Sequence, residues 1–186
     1  MNAVYEKLDC LLREGNVLLA IEGGSGSGKT TLAAQLAKFY GGNVFHMDDF
    51  FLRPTQRTDS RYAEAGGNVD RERFLEEVLL PASRQQTVTY QPFDCNTQTL
   101  MPLITVAPAK LTVIEGAYSM HPALADYYDF SVFLDISPAL QEQRIRKRNT
   151  PQKARLFFSA WIPMENRYFR ELQVKERCNL VIPVHT

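Results

Sequence analysis

The octapeptide GGSGSGKT, Gly23 to Thr30, constrains this chain more than any other stretch. It follows the apolar run NVLLAIE and precedes KTTLAAQLAKFY, whose apolar residues recur at helical spacing. Glycine costs backbone order wherever it stands, so a concentration of it between a strand and a helix needs a compensating role. The pattern is GxxxxGK[ST], with Gly23, Gly28, Lys29 and Thr30 at the fixed positions. In that arrangement successive backbone N–H groups curl around a phosphate, the lysine neutralises the outer phosphates, and the threonine hydroxyl reaches a magnesium ion. The candidate nucleotide cradle is therefore Gly23, Gly24, Ser25, Gly26, Ser27, Gly28, Lys29, Thr30 and Thr31. The helix that begins at Lys29 adds the positive end of its dipole to the same point.

Around this loop, short apolar runs alternate with longer helical patterns. Residues 16–22, 43–47, 110–115, 129–136 and 178–183 read as strands, and the segments between them carry helical spacing. Strands apolar on both faces and separated by helices predict a parallel sheet covered on both sides. The expectation is one three-layer α/β domain over 1–186 with a mainly five-stranded parallel sheet. Residues 87–108 break the alternation with polar turns and prolines, and read as a β-hairpin standing off that sheet. The first fifteen residues read as a short amphipathic helix.

Composition limits the partners. Lysine plus arginine and aspartate plus glutamate each number 21, so no global field draws the chain to nucleic acid or an anionic membrane. Cys10, Cys95 and Cys178 are odd in number and far apart, against a disulfide framework or a zinc site. The expected setting is the cytoplasm. No apolar run approaches membrane-spanning length.

Two further strand ends carry acids. HMDDFFL, His46 to Leu52, puts Asp48 and Asp49 at the carboxyl edge of the sheet, where the phosphate loop also lies. Asp48 is the one expected to face the site, with Asp49 solvated or capping. KLTVIEGAY ends a buried strand in Glu115, a candidate magnesium ligand opposite Thr30.

GGSGSGKTT, DDFF, NVDRERF, YQPFD, VIEGAY and an arginine-bearing helix after FLDIS together resemble the uridine kinase, phosphoribulokinase and pantothenate kinase group of P-loop kinases. The resemblance runs from about Val17 to about Arg170 and implies a P-loop fold, an ATP-dependent, Mg²⁺-requiring kinase and a small-molecule hydroxyl acceptor. It implies that Asp48 accepts the proton of that hydroxyl and that Asp70 touches the acceptor. It also implies a helical lid, which with the helix after it spans 138–170, and whose arginines meet the triphosphate. In the lid PALQEQRIRKR, Arg144 and Arg148 are four apart on one helical face, although cations there also suit a helix C-terminus. Uridine kinases embrace their nucleoside with a hairpin bearing tyrosine, aspartate, an aromatic and histidine; here Phe93, Asp94, Cys95 and Gln98 stand at those places.

Arg57, between Arg53 and Arg61, would suit an acceptor with its own negative charge, or is solvated surface. Asp70 also reads as an N-cap. His121 reads as an acceptor-side or a structural residue, FFSAWIP as packing beneath the lid, and His46 and His185 show no partner. The function expected is a nucleoside kinase-like activity. A regulatory ATPase without an acceptor, a kinase for a pantothenate- or sugar-phosphate-like acceptor, and a kinase-fold binder stay open.

Overall fold

The computed structural model describes residues 2–185. Five strands, β1 (Val17–Gly23), β2 (Asn43–His46), β7 (Leu111–Glu115), β8 (Phe130–Ile136) and β9 (Leu180–Val184), form one parallel sheet in the order β2-β7-β1-β8-β9. β1 alternates between two cores. Val17, Leu19 and Ile21 join Val4, Leu8, Leu32 and Leu36 on one side, beneath helices Asn2–Glu14 and Lys29–Tyr40. Leu18 and Ala20 join Phe45, Phe50, Phe74 and Val78 on the other, beneath helix 71–83. Each face of the sheet is thus buried, which is why the central strands are mostly apolar on both faces.

The connection leaving β1 leads one way, to β2, and that leaving β7 leads the other way, to β8. Ligand crevices form at such a divergence, outside the carboxyl ends of the strands. Ile21 and His46 both register with Glu115, so the ends of three strands reach this crevice at one level.

Residues 87–108 stand apart from the sheet as expected, but they are two ladders rather than one. β3 (Val88–Tyr90) pairs with β6 (Ile104–Val106), and the shorter β4 (Phe93–Asp94) pairs with β5 (Thr99–Leu100). Pro92 and Pro102 fall between the ladders and interrupt the pairing.

Two helices carry a proline beyond their first turn, and each has an i→i+5 turn just before it. Leu75–Leu79 precedes Pro81 in helix 71–83, and Phe157–Trp161 precedes Pro163 in helix 151–171. A proline ring collides with the carbonyl four residues back, and the wider turn moves that carbonyl aside. The second case corrects one expectation: FFSAWIP is not buried packing. Trp161 is 40% exposed, and no residue of Phe157–Trp161 is buried.

Candidate active site

The phosphate loop begins where β1 runs out between β7 and β8. Gly23, Gly26 and Gly28 adopt positive φ of 139°, 81° and 101°, backbone states that side chains rarely allow. Gly23 also has no room for a side chain, since a Cβ there would stand 2.6 Å from the carbonyl oxygen of Leu134. The turn fixes Lys29 and Thr30 at the start of the following helix.

The loop is then held from the lid side. In helix Pro138–Arg148, capped by Ser137, Gln141 Nε2 donates to the Ser25 carbonyl at 2.9 Å. Arg144 Nη1 donates to the carbonyls of Gly26 at 3.1 Å and Ser27 at 3.4 Å, and its Nη2 to that of His185 at 3.0 Å. Occupying these carbonyls from outside keeps them from turning toward an anion, so the sequence's basic helix acts on the loop itself.

Loop, lid helix and strand ends enclose a cavity of about 990 Å³. Lys29, Thr30, Asp48, Glu115, Arg144 and Arg148 all line it. Lys29 Nζ donates to the carbonyls of Gly23 at 2.8 Å and Gly24 at 3.2 Å. Thr30 Oγ1 donates to Glu115 Oε1 at 3.0 Å, and His46 Nδ1 meets the same oxygen at 2.5 Å. That hydrogen bond raises the His46 pKa, giving a partner to a histidine that showed none in sequence. Asp48 follows β2 in the turn Met47–Phe50. Burial raises its pKa, Lys29 opposes the shift, Glu115 reinforces it, and Arg148 also lowers it. Asp48, the loop lysine and the lid arginine thus act on one another across the cavity.

The residues fit a nucleoside triphosphate with Mg²⁺. Ser27 Oγ is buried, lines the cavity and has no partner among the described residues, as a donor awaiting an anion would. Magnesium is usually held by one or two carboxylates plus substrate phosphates, and Glu115 with Thr30 supplies that set. Among the described residues there is no cluster of three or more metal-ligating acids, histidines and cysteines.

The acceptor-side residues lie outside this cavity. Asp70 is buried, caps its helix by accepting from Arg73 N–H at 3.2 Å, and accepts from Gln56 Nε2 at 2.8 Å. Arg57 donates to the Leu52 carbonyl at 3.0 Å, with its guanidinium 5.9 Å from the centre of the buried Phe93 ring. Burial raises the Cys95 thiol, Arg57 lowers it and Asp48 raises it, and the hairpin strand Phe93–Asp94 packs against the turn Met47–Phe50 that carries Asp48. Gln98 turns back to donate to the Cys95 carbonyl. His121 caps Pro122–Ala125 and stacks on Tyr168 at 6.5 Å, with burial lowering its pKa to about 4.

Three residues that hold the loop or the strand beneath it escaped the sequence reading: Gln141, described above, Glu22 and Glu165. Glu22, directly before the loop, is fully buried and accepts from the backbone N–H groups of Gly23, Tyr118 and Met120 and from Tyr168 Oη. A charged residue in an otherwise apolar strand was its signal. Glu165, on helix 151–171, accepts from Ser25 N–H and Ser25 Oγ.

Residues 18–155 match the Phosphoribulokinase / Uridine kinase family. The chain belongs to that family. It is a P-loop kinase, an enzyme that phosphorylates a hydroxyl group of a small molecule. A solved structure of a possible uridine kinase from Bacillus stearothermophilus is similar at TM-score 0.68 and 22% identity, covering 97% of this chain and 99% of that one. A candidate fructose transport system kinase from Silicibacter sp. TM1040 is similar at TM-score 0.62 and 22% identity, over 91% of this chain and 90% of that one. YFH7 from Saccharomyces cerevisiae is similar at TM-score 0.64 and 14% identity, over 100% and 98%. Among the described residues, no helix is long and apolar enough to cross a membrane.

Proposed function

We propose that this P-loop kinase uses ATP with Mg²⁺ to phosphorylate a hydroxyl of a nucleoside-like metabolite. The observation that carries the reading is the convergence of Lys29, Thr30, Glu115 and Asp48 on one cavity at the mouth of the phosphate loop. The loop amides and Lys29 hold the triphosphate, while Arg148 adds charge from the lid. Thr30 and Glu115 would hold Mg²⁺, which supplies charge neutralisation on the phosphates when bound.

Asp48 orients the acceptor hydroxyl. Phosphoryl transfer passes through a loose transition state, so alignment and charge neutralisation contribute more than early proton removal. A carboxylate raised by burial takes up the proton as the new ester forms. The acceptor occupies the space between Asp48 and the hairpin, where Arg57, Phe93 and Cys95 lie. That placement supports a flat or sugar-bearing acceptor held from one side by the hairpin.

The test is ADP release from ATP with Mg²⁺ across a panel of nucleosides, pantothenate and sugar phosphates. The reading expects release that depends on an acceptor and is highest for a nucleoside. Hydrolysis indifferent to every acceptor would instead identify a regulatory ATPase, and preference for a sugar phosphate would move the acceptor class.

A further inference from the structure

Glu165 takes no part in the chemistry above, yet it occupies the loop on which that chemistry depends. Its carboxylate is 5% exposed, accepts from Ser25 N–H at 2.8 Å and Ser25 Oγ at 2.5 Å, and lines the same cavity as Lys29 and Asp48. Chemically it is an anion bound to two donors of a phosphate loop. Burial raises its pKa; Lys29 and the two Ser25 hydrogen bonds oppose the shift, and Asp48 adds to it. It shares one cavity with Lys29 and Asp48, the two groups between which the proposed transfer places the phosphoryl.

The loop does not need Glu165 for its shape. The positive-φ glycines set the turn, and Gln141 and Arg144 hold its carbonyls. Nor does helix 151–171 need it for docking. One turn further on, Tyr168 is fully buried, donates to Glu22 at 3.0 Å and stacks on His121. The helix is therefore anchored at Tyr168, and Glu165 is the member of the pair that faces the incoming ligand.

We propose that Glu165 is a positioning residue that acts through Ser25, holding the loop's amide and hydroxyl in the nucleotide-free protein and yielding them to the terminal phosphate of a triphosphate. The loop thereby distinguishes a nucleotide with a γ-phosphate from one without. An anion brought up to the buried Glu165 carboxylate is repelled more than it would be in bulk water, and the two compete here for the same donors. A diphosphate ends short of this position and leaves the Glu165–Ser25 contact in place. The inference rests on the phosphate-loop reading of Gly23–Thr30.

Glu165→Gln tests it, because the amide keeps the shape and both contacts while losing the charge: its oxygen accepts from Ser25 N–H and its NH₂ donates to Ser25 Oγ. Calorimetry with Mg²⁺ gives the affinity of each protein for a non-hydrolysable ATP analogue and for ADP. The expected result is at least about fivefold tighter binding of the ATP analogue by Glu165→Gln, with ADP changed by less than about twofold. Gln141→Ala removes the hydrogen bond to the Ser25 carbonyl without a change of charge, and should weaken both nucleotides in parallel. An equal shift for both nucleotides in Glu165→Gln, unchanged or weaker binding of the ATP analogue, or ATP-selective tightening in Gln141→Ala would each overturn the proposal. If the wild-type protein binds neither nucleotide, the phosphate-loop reading fails and takes this inference with it.

Discussion

Glu22 is a buried carboxylate in the central strand of a covered sheet. Backbone amides of Gly23, Tyr118 and Met120 and the Tyr168 hydroxyl point at it, yet burial outweighs them and raises its pKa to about 7. The folded protein therefore holds this proton more tightly than the unfolded chain, whose carboxyl titrates near 4.5. By linkage, that stabilisation is complete below about 4.5 and is lost as pH rises through about 7. Unfolding free energy should fall between about pH 4.5 and 7 in the wild type relative to Glu22→Gln, by on the order of 3 kcal/mol at most. A pH-independent difference between the two would contradict this assignment. At this scale the sequence marked residues whose placement follows from local spacing: Lys29, Thr30, and the strand-end acids Asp48 and Glu115, which line one cavity. Glu165 and Gln141 were hidden because they meet Ser25 from 140 and 116 residues away, and nothing local marks either one.

Among the elements, the lid helix Pro138–Arg148 carries the most consequence for function. Its arginines look in sequence like cations waiting for phosphate, but Arg144 already bridges three carbonyls. Arg144→Ala should weaken ATP affinity roughly tenfold by freeing the loop carbonyls, the loss of about one charged hydrogen bond. Arg144→Lys should recover only part, since a single ammonium does not reproduce the planar fork. Isothermal titration checks both, and wild-type affinity in Arg144→Ala would show that the carbonyl contacts are incidental. The five strands were legible because burial on both faces leaves long apolar runs, and their ends shifted by only one or two residues. The wide turns at Leu75–Leu79 and Phe157–Trp161 were not, since an i→i+5 turn leaves the apolar spacing nearly helical. Proline two residues beyond each turn is the trace they leave.

Across the whole molecule, equal numbers of acids and bases leave no net field, so recognition of a polyanion has to be local. The parallel order β2-β7-β1-β8-β9 provides that locality by bringing the ends of β1, β2 and β7 to one crevice. The acceptor side is built differently, from short ladders and loops whose residues largely bond to one another. Such segments carry little periodicity, which is why the nucleotide side was readable as geometry and the acceptor side only as resemblance. The most direct test of the account separates nucleotide binding from transfer in one variant. ATP-analogue affinity and acceptor-dependent turnover should be measured together for wild type and Asp48→Asn. The account predicts unchanged or tighter nucleotide binding in Asp48→Asn with turnover lower by ~10²–10⁴-fold. Near-normal turnover in that variant would contradict it.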